Sequence, residues 1–401
     1  MFENGNHKKI VLKRGREKSL LRRHPWVFSG AVESVNGEPT CGDTVMVCDA
    51  DGRFLAFAAF SPLSQIQARV WSWQEQENID SHFFFKQISQ AVERRRNLPS
   101  VVNTNAARLI HAESDGLAGV IVDQYADVLV LQCLTCGAER WRDVIADHLM
   151  EICAVSGIYE RSDADVRSLE GLSRRACVLR GKVPDRQISI FEGDLHFVVD
   201  IFEGHKSGFY LDQRNNRALI SKIADGRKVL DCFCYSGGFS LAALLGGANA
   251  VSAIDSSAAA LQMAKKNLLL NHIGEEKICY HEADVFHFLR SLRDRNEQFD
   301  LIILDPPKFA PTISQVERAA RGYKDINLLA FKLLRKRGLL VTFSCSGGVS
   351  AELFQKIVAG AALDAQVQAQ ILYHLSQSSD HPIGLAFPEG EYLKGLVLGV
   401  I

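Results

Sequence analysis

Four aspartates close apolar runs in the second half of this 401-residue chain: Asp231, Asp255, Asp284 and Asp305. The first lies in Val229-Leu230-Asp231-Cys232-Phe233-Cys234-Tyr235-Ser236-Gly237-Gly238-Phe239-Ser240, which reads as a strand, a glycine turn and the start of a helix rich in Ala and Leu. A strand opening straight into a helix leaves N–H groups at the helix start, and glycines let a ligand approach the main chain. The second strand, Ala250–Ile254, ends in Asp255, where a ribose diol would be accepted. A lone aspartate at such a place serves as a helix cap. Four of them, with the Gly237-Gly238 turn, make a nucleoside cradle. A dehydrogenase would use Asp255 equally well, but it would give no role to Asp305-Pro306-Pro307-Lys308-Phe309.

Successive acidic strand ends resemble the S-adenosylmethionine site of class I methyltransferases. The resemblance implies that the Asp231–Gly238 loop, with Phe233, Tyr235, Ser236 and Gly237, holds the methionine portion. By the same resemblance Asp255 takes the ribose hydroxyls, Asp284 the adenine amino group, and Gln213 and Asp305 complete the cofactor contacts. Pro306 and Pro307 stiffen the loop after Leu301–Leu304, so that it can hold a planar base edge, with Asp305 accepting from an amino group or a protonated ring nitrogen. Similar loops occur in methyltransferases acting on exocyclic amino groups, so this motif leaves amino- and carbon-methylation open. Cys345, in Phe343-Ser344-Cys345-Ser346 after the expected strand Gly338–Thr342, distinguishes them. An amino group has a lone pair and needs no nucleophile, whereas a thiolate adding to C6 of cytosine makes C5 nucleophilic. An ordinary thiol, with a pKa near ~8.5, is only a few per cent ionised at neutral pH, so Lys308 or the cofactor sulfonium would assist. The plain alternative for Cys345 is a small buried residue at a strand end.

The elements that must position these residues are α/β in pattern. From residue 186 to 401, strands separated by helices imply a Rossmann-like, doubly wound, mostly parallel sheet, closed by an antiparallel hairpin of Gln368–His374 and Tyr392–Val400. Residues 1–78 read as a small β-barrel with turns at Asn36-Gly37, Cys41-Gly42-Asp43 and Asp51-Gly52. Trp26 and Phe28 are expected in its core. Residues 79–185 read as a helix, Ser81–Leu98, followed by an α+β middle domain whose second helix covers Arg140–Val155.

Lys and Arg number 46 against 47 Asp and Glu, so attraction to a polyanion must come from local patches. Arg14, Arg16, Arg22 and Arg23 form one with neighbouring lysines; Arg174, Arg175, Arg180, Lys182 and Arg186 form another. The ten cysteines are scattered and are expected as reduced thiols, with Cys48, Cys133, Cys232 and Cys279 inside strands. Cys133-x-x-Cys136 lacks the second pair or histidines of a zinc site, and no metal is expected. With no apolar run of membrane-spanning length and no signal-like N-terminus, the expectation is a cytoplasmic protein without membrane partners.

Taken in order, the motifs resemble the bacterial 23S rRNA cytosine-C5 methyltransferases with an N-terminal PUA domain that act at cytosine 1962. The resemblance spans essentially the whole chain, including Gly208-Phe209-Tyr210-Leu211-Asp212-Gln213-Arg214, the Asp231 loop, the Asp305 loop, Ser344-Cys345-Ser346, Asp380-His381-Pro382 and Glu389-Gly390-Glu391-Tyr392-Leu393-Lys394-Gly395. It implies an RNA-binding barrel, S-adenosylmethionine as cofactor, Cys345 and Asp305 as catalytic residues, and naked or partly assembled 23S rRNA as partner. Pro306, Lys308, Phe309, Arg14, Arg16, Arg22 and Arg23 would contact RNA, and the target base would be flipped out. Larger cytosine-C5 families carry a second cysteine in the proline loop. Here Lys308 and Phe309 stand there, leaving Asp305, Tyr323, Lys324 or a water to take the C5 proton. Other readings are an amino-group methyltransferase on guanine or adenine, and a non-catalytic assembly factor. A homodimer through the β-edges of the barrel and middle domain is a further expectation.

Overall fold

The computed structural model describes residues 8–184, 187–309 and 315–401. They divide into two units, one running to Ile190 and taking in Val199–Leu211 and Ser379–Gly390, the other made of Phe191–Val198, Asp212–Ser378 and Glu391–Ile401.

In the first unit, β1 (Lys9–Leu12), β2 (Trp26–Phe28), β3 (Val32–Asn36), β4 (Thr44–Cys48), β5 (Phe54–Phe60) and β6 (Ile66–Ser72) form one sheet in the order β2-β6-β5-β4-β1-β3. Alternating side chains such as Ile10, Leu12, Val45, Val47, Ala56 and Ala58 bury one face, as a strand's two-residue period requires. A short helix, α1 (Lys18–Leu21), lies within the basic segment and contributes Lys18 to it. Phe28 departs from expectation: it is 48% exposed, because β2 ends there and its side chain falls outside the core face. Trp26 is half-buried, its indole Nε1 donating to Glu113 Oε1 at 2.9 Å.

Helix α2 (Ser81–Arg96) starts where Asp80 accepts from Phe83 N, buries Phe84, Ile88, Ala91 and Val92, and ends in three arginines that suit its negative pole. A five-stranded sheet follows, in the order β11-β10-β9-β8-β7, built from β7 (Ala106–His111), β8 (Val120–Tyr125), β9 (Val128–Cys133), β10 (Gly157–Ser162) and β11 (Arg175–Gly181). Helix α3 (Cys136–Cys153) begins a turn earlier than Arg140 because Thr135 caps it, accepting from Ala138 N. A further short helix, α4 (Val166–Leu169), precedes β11.

Three cysteine and charge expectations need correction. Cys136 forms a disulfide with Cys41, 95 residues earlier, so neither of these two is a reduced thiol and Cys133 stays free. Cys279 is exposed. In the second basic cluster, Arg174 pairs with Asp165, Arg175 with Glu139 at 2.9 Å, and Arg180 with Asp147 at 2.6 Å and Asp143 at 3.0 Å. Three of its cations are therefore paired within the fold, while Lys182 is exposed and makes no ion pair among the described residues. Arg186 lies outside the described residues.

After the hairpin β12 (Ile188–Glu192) and β13 (Leu195–Val199), the second unit is a seven-stranded sheet. Its strands are β14 (Lys228–Cys232), β15 (Ala250–Asp255), β16 (Ile278–Glu282), β17 (Phe299–Leu304), β18 (Leu334–Ser344), β19 (Ala369–Ser376) and β20 (Lys394–Val400). Their order is β16-β15-β14-β17-β18-β20-β19. Pairing is parallel through β18; β20 is antiparallel to both β18 and β19, as the expected closing hairpin requires. The helices are α5 (Arg214–Ile223), α6 (Gly238–Leu245), α7 (Ala258–Leu270), α8 (Val285–Asp294), α9 (Val316–Leu333) and α10 (Ala351–Asp364). Fully buried Leu230, Ile302, Leu304 and Leu340 meet Leu289, Ile326 and Val358 of the helices in one core. Strand order reverses between β14 and β17, and in such sheets ligands bind at that switch point, beyond the strands' carboxyl ends.

Candidate active site

All the residues from Gln213 to Lys394 discussed below lie in the second unit. β14 and β17 run side by side with Asp231 opposite Ile303 and Cys232 opposite Leu304, so Asp231 and Asp305 emerge at adjacent strand ends. Asp231 is wholly buried between apolar neighbours. Its Oδ2 accepts from Ser240 Oγ at 2.6 Å, while Oδ1 meets no partner among the described residues. Burial raises its carboxyl pKa to about 7, against the lowering hydrogen bond from Ser240 and with a further rise from Asp305.

Between β14 and α6 the chain turns through Phe233, Tyr235 and Gly237, whose φ angles are 64°, 48° and 78°. Left-handed backbone at two aromatic residues is costly and collects at functional sites. It curls the loop so that Tyr235 N donates to Asp255 Oδ2 at 2.9 Å and Gly237 N to Cys234 O at 2.8 Å. Ser236 is buried, its carbonyl accepting from Asn267 Nδ2 at 3.0 Å. Asp255 ends β15, and its Oδ1 also accepts from Ser257 N. Gly238 opens α6 against Arg217, whose guanidinium forks onto Glu192 at 2.7 and 2.8 Å.

Asp284 shows the helix-cap role. Its Oδ1 accepts from His287 N and lies 2.9 Å from His287 Nδ1, and these bonds, the backbone one first, hold its pKa below the usual range.

Gln213 and Asp305 meet: Gln213 Nε2 donates to Asp305 Oδ2 at 3.0 Å. Asn216, which the sequence reading did not single out, fixes that orientation by donating to Gln213 Oε1 at 2.6 Å and to Ser376 O at 3.1 Å. With Oε1 engaged as acceptor, the amide nitrogen is left to face the carboxylate. Pro306 is buried, Lys308 exposed, and Phe309 packs on Tyr323 with ring centroids 4.8 Å apart. Cys345 follows β18, next to β17, and its Sγ donates to Pro306 O at 3.8 Å. The thiol thus lies on the Asp305 loop. Beside it, Tyr323 OH and Ser346 Oγ are 3.0 Å apart, and Lys394 Nζ donates to Ser346 O at 3.1 Å. Lys394 was also missed. In sequence it is one lysine of an edge-like hairpin strand, with no spacing that marks it.

Arg14, Arg16, Arg22 and Arg23, expected to contact RNA, lie in the first unit and are exposed. Arg14 pairs with Asp51 at 2.5 Å and Arg23 lies over the Trp73 ring at 5.1 Å.

An unpaired, fully buried carboxylate oxygen beside a left-handed glycine loop at a topological switch point fits a cationic nucleoside ligand, S-adenosylmethionine included. The fold and cradle define a class I S-adenosylmethionine-dependent methyltransferase preceded by a PUA-like domain. Residues 171–349 match the family model described as S-adenosylmethionine-dependent methyltransferase, and residues 10–73 match that of the PUA-like domain. Among solved structures, a candidate methyltransferase in complex with SAH aligns with a TM-score of 0.86, and a candidate SAM-dependent methyltransferase from Streptococcus mutans with 0.85. Each is 22% identical, and the alignments cover 98% of this chain and 100% of the other. At that identity they establish the fold. Among relatives, ribosomal RNA large subunit methyltransferase I of Shewanella denitrificans is 51% identical over 393 residues, 98% of this chain and 99% of that protein. The protein of the same name from Tolumonas auensis is 50% identical over the same shares. The chain belongs to the ribosomal RNA large subunit methyltransferase I family.

Proposed function

We propose that this chain methylates C5 of a cytosine in large-subunit ribosomal RNA, at the position the motif resemblance implies, cytosine 1962 of 23S rRNA. The carrying observation is the approach of Cys345 Sγ to Pro306 O, which brings a thiol onto the rigid loop led by Asp305. A lone-pair amine would have no use for that thiol. Cytosine C5 would, because addition of a thiolate at C6 turns C5 into an enamine carbon.

S-adenosylmethionine supplies an electrophilic methyl group when bound. In the proposed sequence Cys345 forms the S–C6 bond while Asp305, steadied by Gln213, accepts from the base's amino edge. C5 then takes the methyl group, a base removes the C5 proton, and the S–C6 bond breaks to return the thiolate. Lys324 is held by Asp364 at 2.8 Å, and burial pushes the Tyr323 phenol up, which makes its deprotonated form scarce. Asp305 or a water it holds is therefore the better proton acceptor.

The test is methyl transfer from labelled S-adenosylmethionine to unmodified 23S rRNA, with nucleoside analysis. Wild type should yield 5-methylcytosine, and Cys345→Ala should lose at least a hundredfold in rate while binding cofactor normally. A methylated exocyclic amine, or an active Cys345→Ala enzyme, replaces this reading with the amino-methyltransferase one.

A further inference from the structure

Lys394 is the one lysine buried among the described residues, at 7% exposure. Lysines are seldom buried unless their charge is met, because stripping water from an ammonium is costly. The hydrogen bond that Lys394 makes, to Ser346 O, meets only a neutral carbonyl. That carbonyl belongs to the residue directly after Cys345. Strand register explains the approach: β20 pairs with β18 so that Lys394 stands opposite Ser344, and the lysine side chain runs past the strand end to reach Ser346.

We infer that Lys394 is a positioning residue whose ammonium holds Cys345 as the thiolate. The inference rests on the nucleophilic role given above to Cys345. Lys394 stays an ammonium while the thiol gives its proton to water, leaving a thiolate near a fixed positive charge; no other bond changes. The groups in electrostatic reach are Glu391 before β20, Lys308 after β17, Cys345 itself and, facing Cys345 from α9, Tyr323. Burial lowers the Lys394 pKa, with Lys308 adding to the fall and Glu391 and Cys345 opposing it. The rise that Cys345 contributes is reciprocal: an ammonium near the thiol favours the thiolate as the thiolate favours the ammonium. Lys308 and Glu391 are exposed, so water screens them, whereas Lys394 acts from inside.

The test follows thiolate formation directly, in the full chain without cofactor or RNA. Each cysteine's alkylation by iodoacetamide is measured by mass spectrometry from pH 6 to 9.5, with exposed Cys177 and Cys279 as internal references. Lys394→Gln and Lys394→Met should move the Cys345 midpoint up by about one pH unit, slowing its alkylation at pH 7 about tenfold, while Lys394→Arg stays with wild type. The reference cysteines should not move. Should Lys394→Met fail to fold, Lys394→Gln, which keeps a donor for Ser346 O, decides. Unchanged midpoints in the neutral variants overturn the inference, as does a shift in Lys394→Arg equal to theirs, which would mark packing rather than charge. If Cys345→Ala retains methyl transfer, the nucleophile reading falls while the alkylation comparison stands on its own. If both readings hold, methyl transfer by Lys394→Gln recovers as pH rises.

Discussion

Asp231 carries the sharpest pH dependence in the site. Its folded pKa of about 7 lies above the ordinary 3.8, so the folded chain holds this proton more tightly than the unfolded one. The associated stability is present in full below pH ~4 and is lost as pH rises through about 7, on the order of 4 kcal/mol in all. Melting of the cofactor-free protein between pH 5 and 8 should therefore show a fall in wild type that Asp231→Asn lacks. A cationic ligand reverses the preference by stabilising the ionised carboxylate. S-adenosylmethionine affinity by calorimetry should thus rise across pH 6 to 8 in wild type and stay flat in the variant. Parallel pH curves for the two proteins would remove Asp231 from the cofactor site. At this scale the sequence named Asp231, Asp305 and Cys345 through acidic strand ends and a thiol beside a proline loop, and Gln213 through the motif resemblance alone. It did not show Asn216 or Lys394, whose parts depend on a single hydrogen bond made across the fold. Nor could it show left-handed Phe233 and Tyr235, since aromatic residues carry no local preference for that backbone.

The turn between β14 and α6 works only if it stays tight. Gly237 sits at φ 78°, and a Cβ built there would come 3.0 Å from Ala264 Cβ on α7. Gly226 has a similar φ of 67° with nothing within 4 Å. Gly226→Ala should therefore cost about 1 kcal/mol of unfolding free energy from backbone strain alone. Gly237→Ala should cost about 1 kcal/mol more, from overpacking against α7, and should weaken S-adenosylmethionine binding severalfold where Gly226→Ala does not. Equal losses in the two variants would mean that α7 yields and that the turn is not a tight cradle. Elements with strong periodicity or caps were legible: α2, β4, β5 and the closing hairpin fall where apolar spacing puts them. β18 was read too short, starting at Gly338 and not Leu334, because Arg335-Lys336-Arg337 reads as a polar turn. The fold instead continues the strand through them, past a left-handed Arg337 and a shift in register against β17. The Cys41–Cys136 bond was illegible for a different reason. Its partners lie 95 residues apart, in the barrel and at the start of α3, and no local pattern joins them.

For the molecule as a whole, the alternation of strands and helices settled the doubly wound sheet, because a parallel pair needs a crossover helix and the last two strands lack one. Charge was less legible. Summed along the chain, the clusters at the N-terminus and before residue 186 look alike, yet folding treats them differently. Arg174, Arg175 and Arg180 each find a carboxylate, whereas Arg16, Arg22 and Arg23 are exposed and make no ion pair among the described residues. A guanidinium already paired releases few counterions when it meets a phosphate, because it must first give up its carboxylate. An unpaired one contributes close to its full share. Binding of a 23S rRNA fragment, followed by fluorescence anisotropy across a salt series, should therefore separate the two patches. Changing Arg16, Arg22 and Arg23 together to Gln should flatten the slope of log K against log salt by about 2 and weaken binding at low salt by tenfold or more. The same change at Arg174, Arg175 and Arg180 should move the slope by less than about 1, with any loss appearing in the melting temperature instead. Equal flattening from both triple variants would show that RNA displaces the intramolecular carboxylates, and the docking surface would then include the edge strand β11 along with the barrel.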